Sequence, residues 1–351
     1  MIRSLPLDLL RMILEEVDDD QSLARCCLAS KVMLSTSRPL LYRHIEVLIL
    51  SSEDEGSDDD GPAIAFIIHQ ILGKSNALLQ TLQRYPRLRD YVQHVKYVCT
   101  SSWDDGDFEW IDEPMDIFKQ VLALVPTPKT LTLVDPEDLN AVDEIVQEIK
   151  GKRDPSPEVH LELLESSFVG LFDMKPLNGS HASLTLGQGW STPVEGLEGI
   201  MATVPSFKLI CSVDAGEFSL SKFSKVEHLE LFAEAPPAPR RWAKPDLTVR
   251  PLEYLRNSLH ELSRLKSVVI SGYPSPILDQ FVSPHELIPF LPSSVTVLQI
   301  KVDIGVDKLV GIVKSLPLST GLKTLGIRFE GGDLTELIEE CGKTGIKLAL
   351  V

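Results

Sequence analysis

Residues 226–231 read VEHLEL, in which apolar Leu229 and Leu231 enclose the charged Glu230. Because side chains alternate between the two faces of a strand, the two leucines are predicted on one face and Glu230 on the other. The pattern returns three times further along the chain, as LKSVVI at 265–270, VTVLQI at 295–300 and LKTLGI at 322–327. Recurrence of one short unit predicts a repeat protein.

Weaker copies of the apolar pair occur throughout the rest of the chain. They lie at Val95/Tyr97, Leu131/Leu133, Leu161/Leu163, Leu184/Leu186, Leu209/Cys211 and Leu348/Leu350. Stretches with apolar residues at i, i+3, i+4 and i+7 lie between several of these pairs, and this spacing predicts amphipathic helices. The fold class is therefore predicted as α/β, with a helix and a short strand in each repeat.

Alternating helices and strands are also typical of a doubly wound parallel sheet, whose strands are buried on both faces and read as unbroken apolar runs. Here the residue inside the apolar pair is often polar, as at Glu162, Glu230 and Gln299. We therefore expect parallel strands with one solvent-exposed face and helices on the other. From about Leu88 to Val351 this pattern resembles leucine-rich repeats, which implies an irregular solenoid that binds another protein.

Residues 5–47, LPLDLLRMILEEVDDDQSLARCCLASKVMLSTSRPLLYRHIEV, predict three short helices before the repeats. Pro6 suits a first helical position, and the apolar residues that follow it have helical spacing. The acidic run 18–20 is predicted to end the first helix and to cap the second, and Ser30 is predicted to cap the third. Pro39 is predicted to prevent smooth continuation of that third helix.

Three helices of this length cannot bury so many apolar side chains against one another, so we expect the segment to bind a partner. Its sequence resembles an F-box, in the form common in fungal F-box proteins. The residues that carry the resemblance are Leu5-Pro6, Asp8, Ile13, Leu28-x-Ser30-Lys31 and Leu41-Tyr42-Arg43-His44. Met33 stands where that family often has an aromatic residue. The alternative is an amphipathic helical cap on the domain that follows.

The F-box resemblance implies a substrate receptor of an SCF-type ubiquitin ligase. The helices would dock on a Skp-type adaptor and through it on a cullin scaffold, and the repeats would bind an unidentified target protein. Such a receptor is a non-catalytic subunit, because the ubiquitin chemistry belongs to other subunits. Two alternatives stay open: a leucine-rich-repeat interaction scaffold with no ubiquitin-ligase role, and an α/β enzyme with an unrecognised site.

This interpretation divides the chain into four segments. Residues 1–47 are the F-box, 48–61 an acidic disordered loop, 62–87 a helical joint and 88–351 the leucine-rich-repeat-like substrate-binding domain. The loop is predicted from SSEDEGSDDD at 51–60, which has too few apolar residues to offset the entropy lost on ordering.

The candidate binding residues form two groups. Adaptor-binding residues are predicted among the apolar side chains that exceed the needs of the helices' own core: Leu5, Pro6, Leu9, Ile13, Leu14 and Leu28. Target-binding residues are predicted on the exposed sheet face, by strand alternation: His228, Glu230, Phe232, Val269, Gln299 and Lys301. Trp242, in the Pro-rich loop 233–245, is a further candidate at the rim of that face.

Composition argues against several other classes of protein. The formal net charge of the 351-residue chain is −17, which disfavours a nucleic acid or an anionic membrane as partner. The five cysteines form no C-x-x-C pair and are typical of free thiols in a reducing compartment. No signal peptide or membrane-spanning run is predicted, so we expect a cytoplasmic or nuclear location.

Signals for chemistry are sparse. The sequence contains no G-x-S-x-G elbow, Walker A motif, H-E-x-x-H motif or kinase signature. His94, His160 and His228 each precede the apolar pair of a strand, but they belong to different repeats and are not expected to form a metal site. We therefore predict no catalytic residues, no cofactor and no metal.

Overall fold

The protein is described here from a computed structural model. The structure describes residues 6–17, 19–51, 61–101, 113–136, 139–152, 155–164, 181–187, 197–211, 220–233, 258–272, 290–302, 305–316, 321–329, 331 and 333–351. The chain forms two compact units, Met1–Val159 and His160–Val351.

The first unit begins with three short helices, α1 (Leu7–Glu15), α2 (Asp20–Ala29) and α3 (Lys31–Leu41). The side chain of Asp19 accepts hydrogen bonds from the backbone N–H groups of Gln21 and Ser22, and so caps α2. The hydroxyl of Ser30 accepts a hydrogen bond from the N–H of Met33 and caps α3. These hydrogen bonds confirm the two predicted caps. Each cap satisfies backbone donors that a helix leaves unpaired at its start.

The structure corrects the predicted positions of two prolines. Pro6 is the N-cap residue of α1, with extended backbone angles, and not its first helical residue. Pro39 lies inside α3, two residues before the helix ends at Leu41, and does not interrupt it. Backbone bonds continue past it, since the N–H of Tyr42 donates to the Arg38 carbonyl at 3.2 Å. A proline this close to a helix end removes only one late hydrogen bond, which the last turn tolerates.

Parallel strands follow in both units. In chain order they are β1 (His44–Ser51), β2 (His94–Ser101), β3 (Thr130–Val134), β4 (Glu158–Leu163), β5 (Ser183–Leu186), β6 (Ser206–Cys211), β7 (His228–Ala233), β8 (Ser267–Gly272), β9 (Val297–Ile300), β10 (Thr324–Ile327) and β11 (Lys347–Leu350). These eleven described strands follow sequence order in the sheet, with no reversal of the kind that marks a doubly wound sheet. The predicted α/β class with parallel strands is confirmed.

Helices connect many of the strands. Those described after α3 are α4 (Gly61–Arg84), α5 (Glu113–Leu124), α6 (Leu139–Lys152), α7 (Glu198–Thr203), α8 (Val306–Ser315) and α9 (Thr335–Thr344), with 3-10 helices at Pro86–Tyr91 and Leu220–Lys222. Their apolar stripes are buried, as with Leu309, Val310 and Val313 of α8. In the first unit, Phe118 of α5 packs on Tyr97 of β2 with ring centroids 4.8 Å apart. Such contacts form the core between strands and helices.

The apolar pairs of neighbouring strands stand in register from β1 to β3 and from β4 to β11. The predicted pair of β11 is the exception in burial, since Leu350 is exposed and Leu348 is half-buried. In the second unit, Leu184 aligns with Phe207, Leu229, Val268, Leu298 and Leu325 in turn, and all of these side chains are buried. This register corrects the predicted pair in β6, which is Phe207 and Leu209 and not Leu209 and Cys211. Phe207 stacks on Phe223 at 4.1 Å, a contact that alternation along the sequence does not reveal.

Strand β1 lies outside the predicted repeats. Its residues Ile45 and Val47 are buried and pair with Val95 and Tyr97 of β2. Because β1 runs to Ser51, strand residues occupy the first part of the segment 48–61 predicted as a disordered loop. Residues 52–60 of that segment lie outside the described residues. The predicted helical joint 62–87 coincides largely with α4.

Replacing Phe207 by alanine tests the register of β6. The side chain is fully buried against Phe223, and emptying such a site costs about 3–5 kcal/mol of unfolding free energy. Guanidinium denaturation of Phe207→Ala should show that loss. The control Ser206→Ala changes the adjacent, half-buried residue and should change the free energy by less than about 0.5 kcal/mol. Similar small effects of both substitutions would contradict this register.

Candidate protein-binding surfaces

Helix α1 is apolar on two sides. Leu14 is 3% exposed and belongs to the interior, whereas Leu9, Met12 and Ile13 are 47%, 61% and 55% exposed. Positions 9, 12 and 13 have the i, i+3, i+4 spacing that places side chains on one helix face. This outer face is thus apolar without being part of the core.

A second group of exposed apolar side chains flanks the junction of α2 and α3. Leu28 lies near the end of α2 and is 88% exposed, and Val32 in the first turn of α3 is 55% exposed. Between them, Ser30 has an extended backbone and its hydroxyl caps α3. We define the apolar helix surface as Leu7, Leu9, Met12, Ile13, Leu28 and Val32.

The structure sorts the predicted adaptor-binding residues. Pro6, Leu9, Ile13 and Leu28 are exposed, and Leu5 lies outside the described residues. Leu14 is the correction: it is buried in the unit's interior and is not available to a partner. The list based on sequence omitted Leu7, Met12 and Val32. The i, i+3, i+4 spacing of Leu9, Met12 and Ile13 within α1 is a signal that could have identified Met12.

Charged groups accompany the apolar helix surface. Asp8, Glu15 and Glu16 are exposed, and the guanidinium of Arg11 pairs with Glu15 at 2.9 Å. Hydrogen bonds from the side chain and backbone of Ser22, and from the backbone of Gln21, hold the pKa of Asp19 below its usual value. The helices therefore carry exposed acidic side chains beside their exposed apolar groups.

The second surface is the polar face of the sheet in the second unit. Lys208, Glu230, Val269 and Gln299 are register neighbours on β6, β7, β8 and β9. Lys208 Nζ lies 3.1 Å from Glu230 Oε1, and the hydroxyl of Ser271 donates to the same oxygen at 2.9 Å. Lys208 Nζ also lies 4.9 Å from the ring centroid of Phe232. Glu230 and Phe232 are therefore held in a network within the protein.

The predicted target-binding residues thus differ in availability. His228 and Lys301 are exposed, whereas Glu230, Phe232, Val269 and Gln299 are half-buried. Trp242 lies outside the described residues. Cross-strand pairs such as Lys208–Glu230 stabilise a sheet by about 0.2–1 kcal/mol each, so a partner that displaces this pair must replace its contacts. A partner that binds His228 and Lys301 does not have to displace this pair.

The histidines at the start of the strands contact neighbouring strands in different ways. His44 and His94 are register neighbours whose rings stack at 4.3 Å, and Nδ1 of His94 lies 2.7 Å from the Thr130 hydroxyl. Nδ1 of His160 lies 2.7 Å from the Ser183 hydroxyl. Within the described ranges, no group of three or more His, Cys, Asp or Glu side chains is arranged to hold a metal ion.

Burial is the main cause that lowers the pKa of both stacked histidines. The Arg43 guanidinium lowers the pKa of His44 further, while Asp20 opposes that shift. His44, Arg43 and Lys129 add to the effect of burial on the pKa of His94. The lowered pKa values favour the neutral form of both rings, and neutral rings can stack without charge repulsion.

These shifts predict that the protein loses stability as it is acidified. In the unfolded chain both histidines titrate near pH 6.5, whereas their folded pKa values are lower, so the unfolded state binds more protons in this window. The thermal midpoint should fall as the pH decreases from 7 through 6.5 toward the folded pKa values. The fall should be smaller in His94→Gln and unchanged in His260→Gln, which alters an exposed histidine of the other unit. An equal fall in wild type and His94→Gln would contradict the assignment.

No helix of the described residues has the length and apolarity needed to cross a bilayer. No protein-family model matches the chain, and no curated protein matches it.

Proposed function

We propose that the chain is the substrate receptor of an SCF-type ubiquitin ligase, a non-catalytic subunit that acts in the cytoplasm or nucleus. Helices α1, α2 and α3 would form an F-box that docks on a Skp-type adaptor and through it on a cullin scaffold. The strands and helices that follow would form an irregular leucine-rich-repeat solenoid that holds the target protein.

The observation that carries the proposal is the exposure of the apolar helix surface. Leu9, Ile13 and Leu28 expose about half or more of their side chains, although the module is small enough to need every apolar group for its own core. Burying one such side chain contributes about 1.5–3 kcal/mol. A partner that covers several of them would gain enough free energy for stable association.

Two features support the leucine-rich-repeat part of the proposal. Strands β1 to β10 each place an apolar pair in the core, and the described strands follow sequence order, as stacked repeats do. The repeats vary in length: Phe207 and Leu229 are register partners 22 residues apart, whereas Ile45 and Val95 are 50 residues apart. Insertions of such different length would make the solenoid irregular.

Alanine substitutions in the apolar helix surface test adaptor binding against matched controls. Ile13→Ala and Leu28→Ala should each weaken binding of the purified Skp adaptor by about tenfold, since each removes part of a buried apolar contact. Ile338 and Leu350 are 56% and 67% exposed in the second unit, and Ile338→Ala and Leu350→Ala should leave affinity unchanged. Affinity can be measured by surface plasmon resonance. Equal affinity of all four variants and wild type would reject the F-box proposal and favour the interaction scaffold without a ligase role.

Substitution by glutamate tests the sheet face as the target site. A double change of His228→Glu and Lys301→Glu alters two exposed residues and leaves the Glu230 network in place. Quantitative mass spectrometry of affinity-purified complexes should show loss of targets with retention of the adaptor. Lys222→Glu, on an exposed 3-10 helix residue, should retain both. Retention of all targets by the double variant would place the target site elsewhere.

A further inference from the structure

A cavity of about 500 Å³ lies in the first unit where α3, α4 and the following 3-10 helix meet. Arg38, Arg84 and Arg87 line it together with Tyr42, Tyr85 and Thr81. The remaining lining residues, Pro86 and Leu88, are apolar. Three guanidinium groups around one cavity are unexpected in a chain with a formal net charge of −17.

Local structure brings these residues together from two segments of the chain. Arg38 and Tyr42 are four residues apart at the end of α3, where the Tyr42 N–H donates to the Arg38 carbonyl. Arg84 and Tyr85 come at the end of α4. Pro86 then starts the 3-10 helix, in which the N–H of Leu88 donates to the Tyr85 carbonyl at 2.9 Å. This tight turn keeps Arg87 beside the cavity.

Among the described residues, no carboxylate pairs with these three arginines. No ion pair formed within the described ranges includes Arg38, Arg84 or Arg87. Arg84 instead has its guanidinium carbon 5.5 Å from the centroid of the Tyr85 ring. Like charges that line one cavity repel one another, and an anion between them would convert this repulsion into attraction.

Capping of α4 does not account for these arginines. Arg89 already fills that role, since its Nε donates to the Leu82 carbonyl at 2.7 Å and its Nη2 to the Gln83 carbonyl at 3.2 Å. The ends of α3 and α4 carry partial negative charges of roughly half a unit each. Three full positive charges outweigh these two partial ones, so the cavity is electropositive.

We propose that this cavity binds a small molecule that carries a phosphate monoester on an aromatic or apolar body. Guanidinium groups pair with phosphate oxygens through two parallel hydrogen bonds, which makes arginine the preferred side chain for this group. The tyrosine rings, Pro86 and Leu88 supply contacts for an apolar body. Thr81 contributes only an acceptor oxygen, because its hydroxyl donates to the Ala77 carbonyl at 2.7 Å. A volume of about 500 Å³ lies within the range of about 300–1,000 Å³ typical of small-molecule sites.

The site does not depend on the proposed ligase role, because all its residues belong to one unit and no adaptor residue is needed. A ligand bound there contacts both the end of α3 and the end of α4, and it binds only the folded protein. Its binding should therefore raise the thermal midpoint.

Titration of the full chain with phenyl phosphate by isothermal titration calorimetry tests the proposal. Binding should be saturable, and Arg38→Ala and Arg87→Ala should each weaken it by about tenfold, the effect of losing one hydrogen-bonded charge. Both arginines are exposed, and circular dichroism of the variants verifies that the fold is retained. Arg264→Ala, which removes an exposed arginine of the other unit, should bind like wild type. Absence of saturable binding, or equal affinity of the Arg38→Ala/Arg87→Ala double variant, would overturn the proposal.

Two further ligands test whether the phosphate group is required and whether the ligand is a small molecule or a phosphorylated protein. Phenol lacks the phosphate and therefore loses the contacts with two arginines, so it should bind at least about a hundredfold more weakly than phenyl phosphate. Equal binding of the two ligands would show that only the apolar lining contributes, and would reject the anion site. A pentapeptide of alanines around one phosphotyrosine should bind no more tightly than phenyl phosphate. Tighter binding of the peptide by tenfold or more would reject the small-molecule ligand in favour of a phosphorylated protein.

Discussion

The structure depends on register between neighbouring apolar pairs. A single strand such as β7 has only Leu229 and Leu231 to bury, and two adjacent pairs in register are needed before water is excluded from either. Once those leucines face the core, alternation places Glu230 on the opposite face. There it meets Lys208 and Ser271 from the two neighbouring strands. The core contact and the polar surface therefore follow from one constraint.

The sequence predicted most strands because apolar alternation is a local signal, but it did not determine register. In β6 the pairs Phe207/Leu209 and Leu209/Cys211 have the same period, and only pairing with Leu184 and Leu186 selects the first. Strand β1 has a clear alternation in Ile45 and Val47, yet it lies between a helical segment and an acidic run. Its partner, β2, begins 50 residues after it, so no local window contains the pairing that stabilises it.

The N-terminal helices show the same division between local and tertiary information. The Asp19 and Ser30 caps act within three residues of themselves, and sequence was sufficient to predict them. Ile13 and Leu14 are adjacent and equally apolar, but the first is 55% exposed and the second 3%. Helical spacing gives the angle between two side chains and not which of them meets another helix. The apolar helices could therefore be identified from sequence, whereas the structure was needed to show which of their apolar side chains are exposed.

Charge also acts on two length scales in this protein. The net charge of −17 repels a long polyanion, whose many phosphates lie near many carboxylates at once. Interactions between exposed charges are largely screened beyond about 8–10 Å at physiological ionic strength, so a small anion near Arg38, Arg84 and Arg87 responds mainly to those three groups. Their convergence comes from a helix end, a second helix end and the turn after Pro86. The net charge describes only the long-range effect on large polyanions. It therefore does not indicate that this acidic chain contains an electropositive cavity.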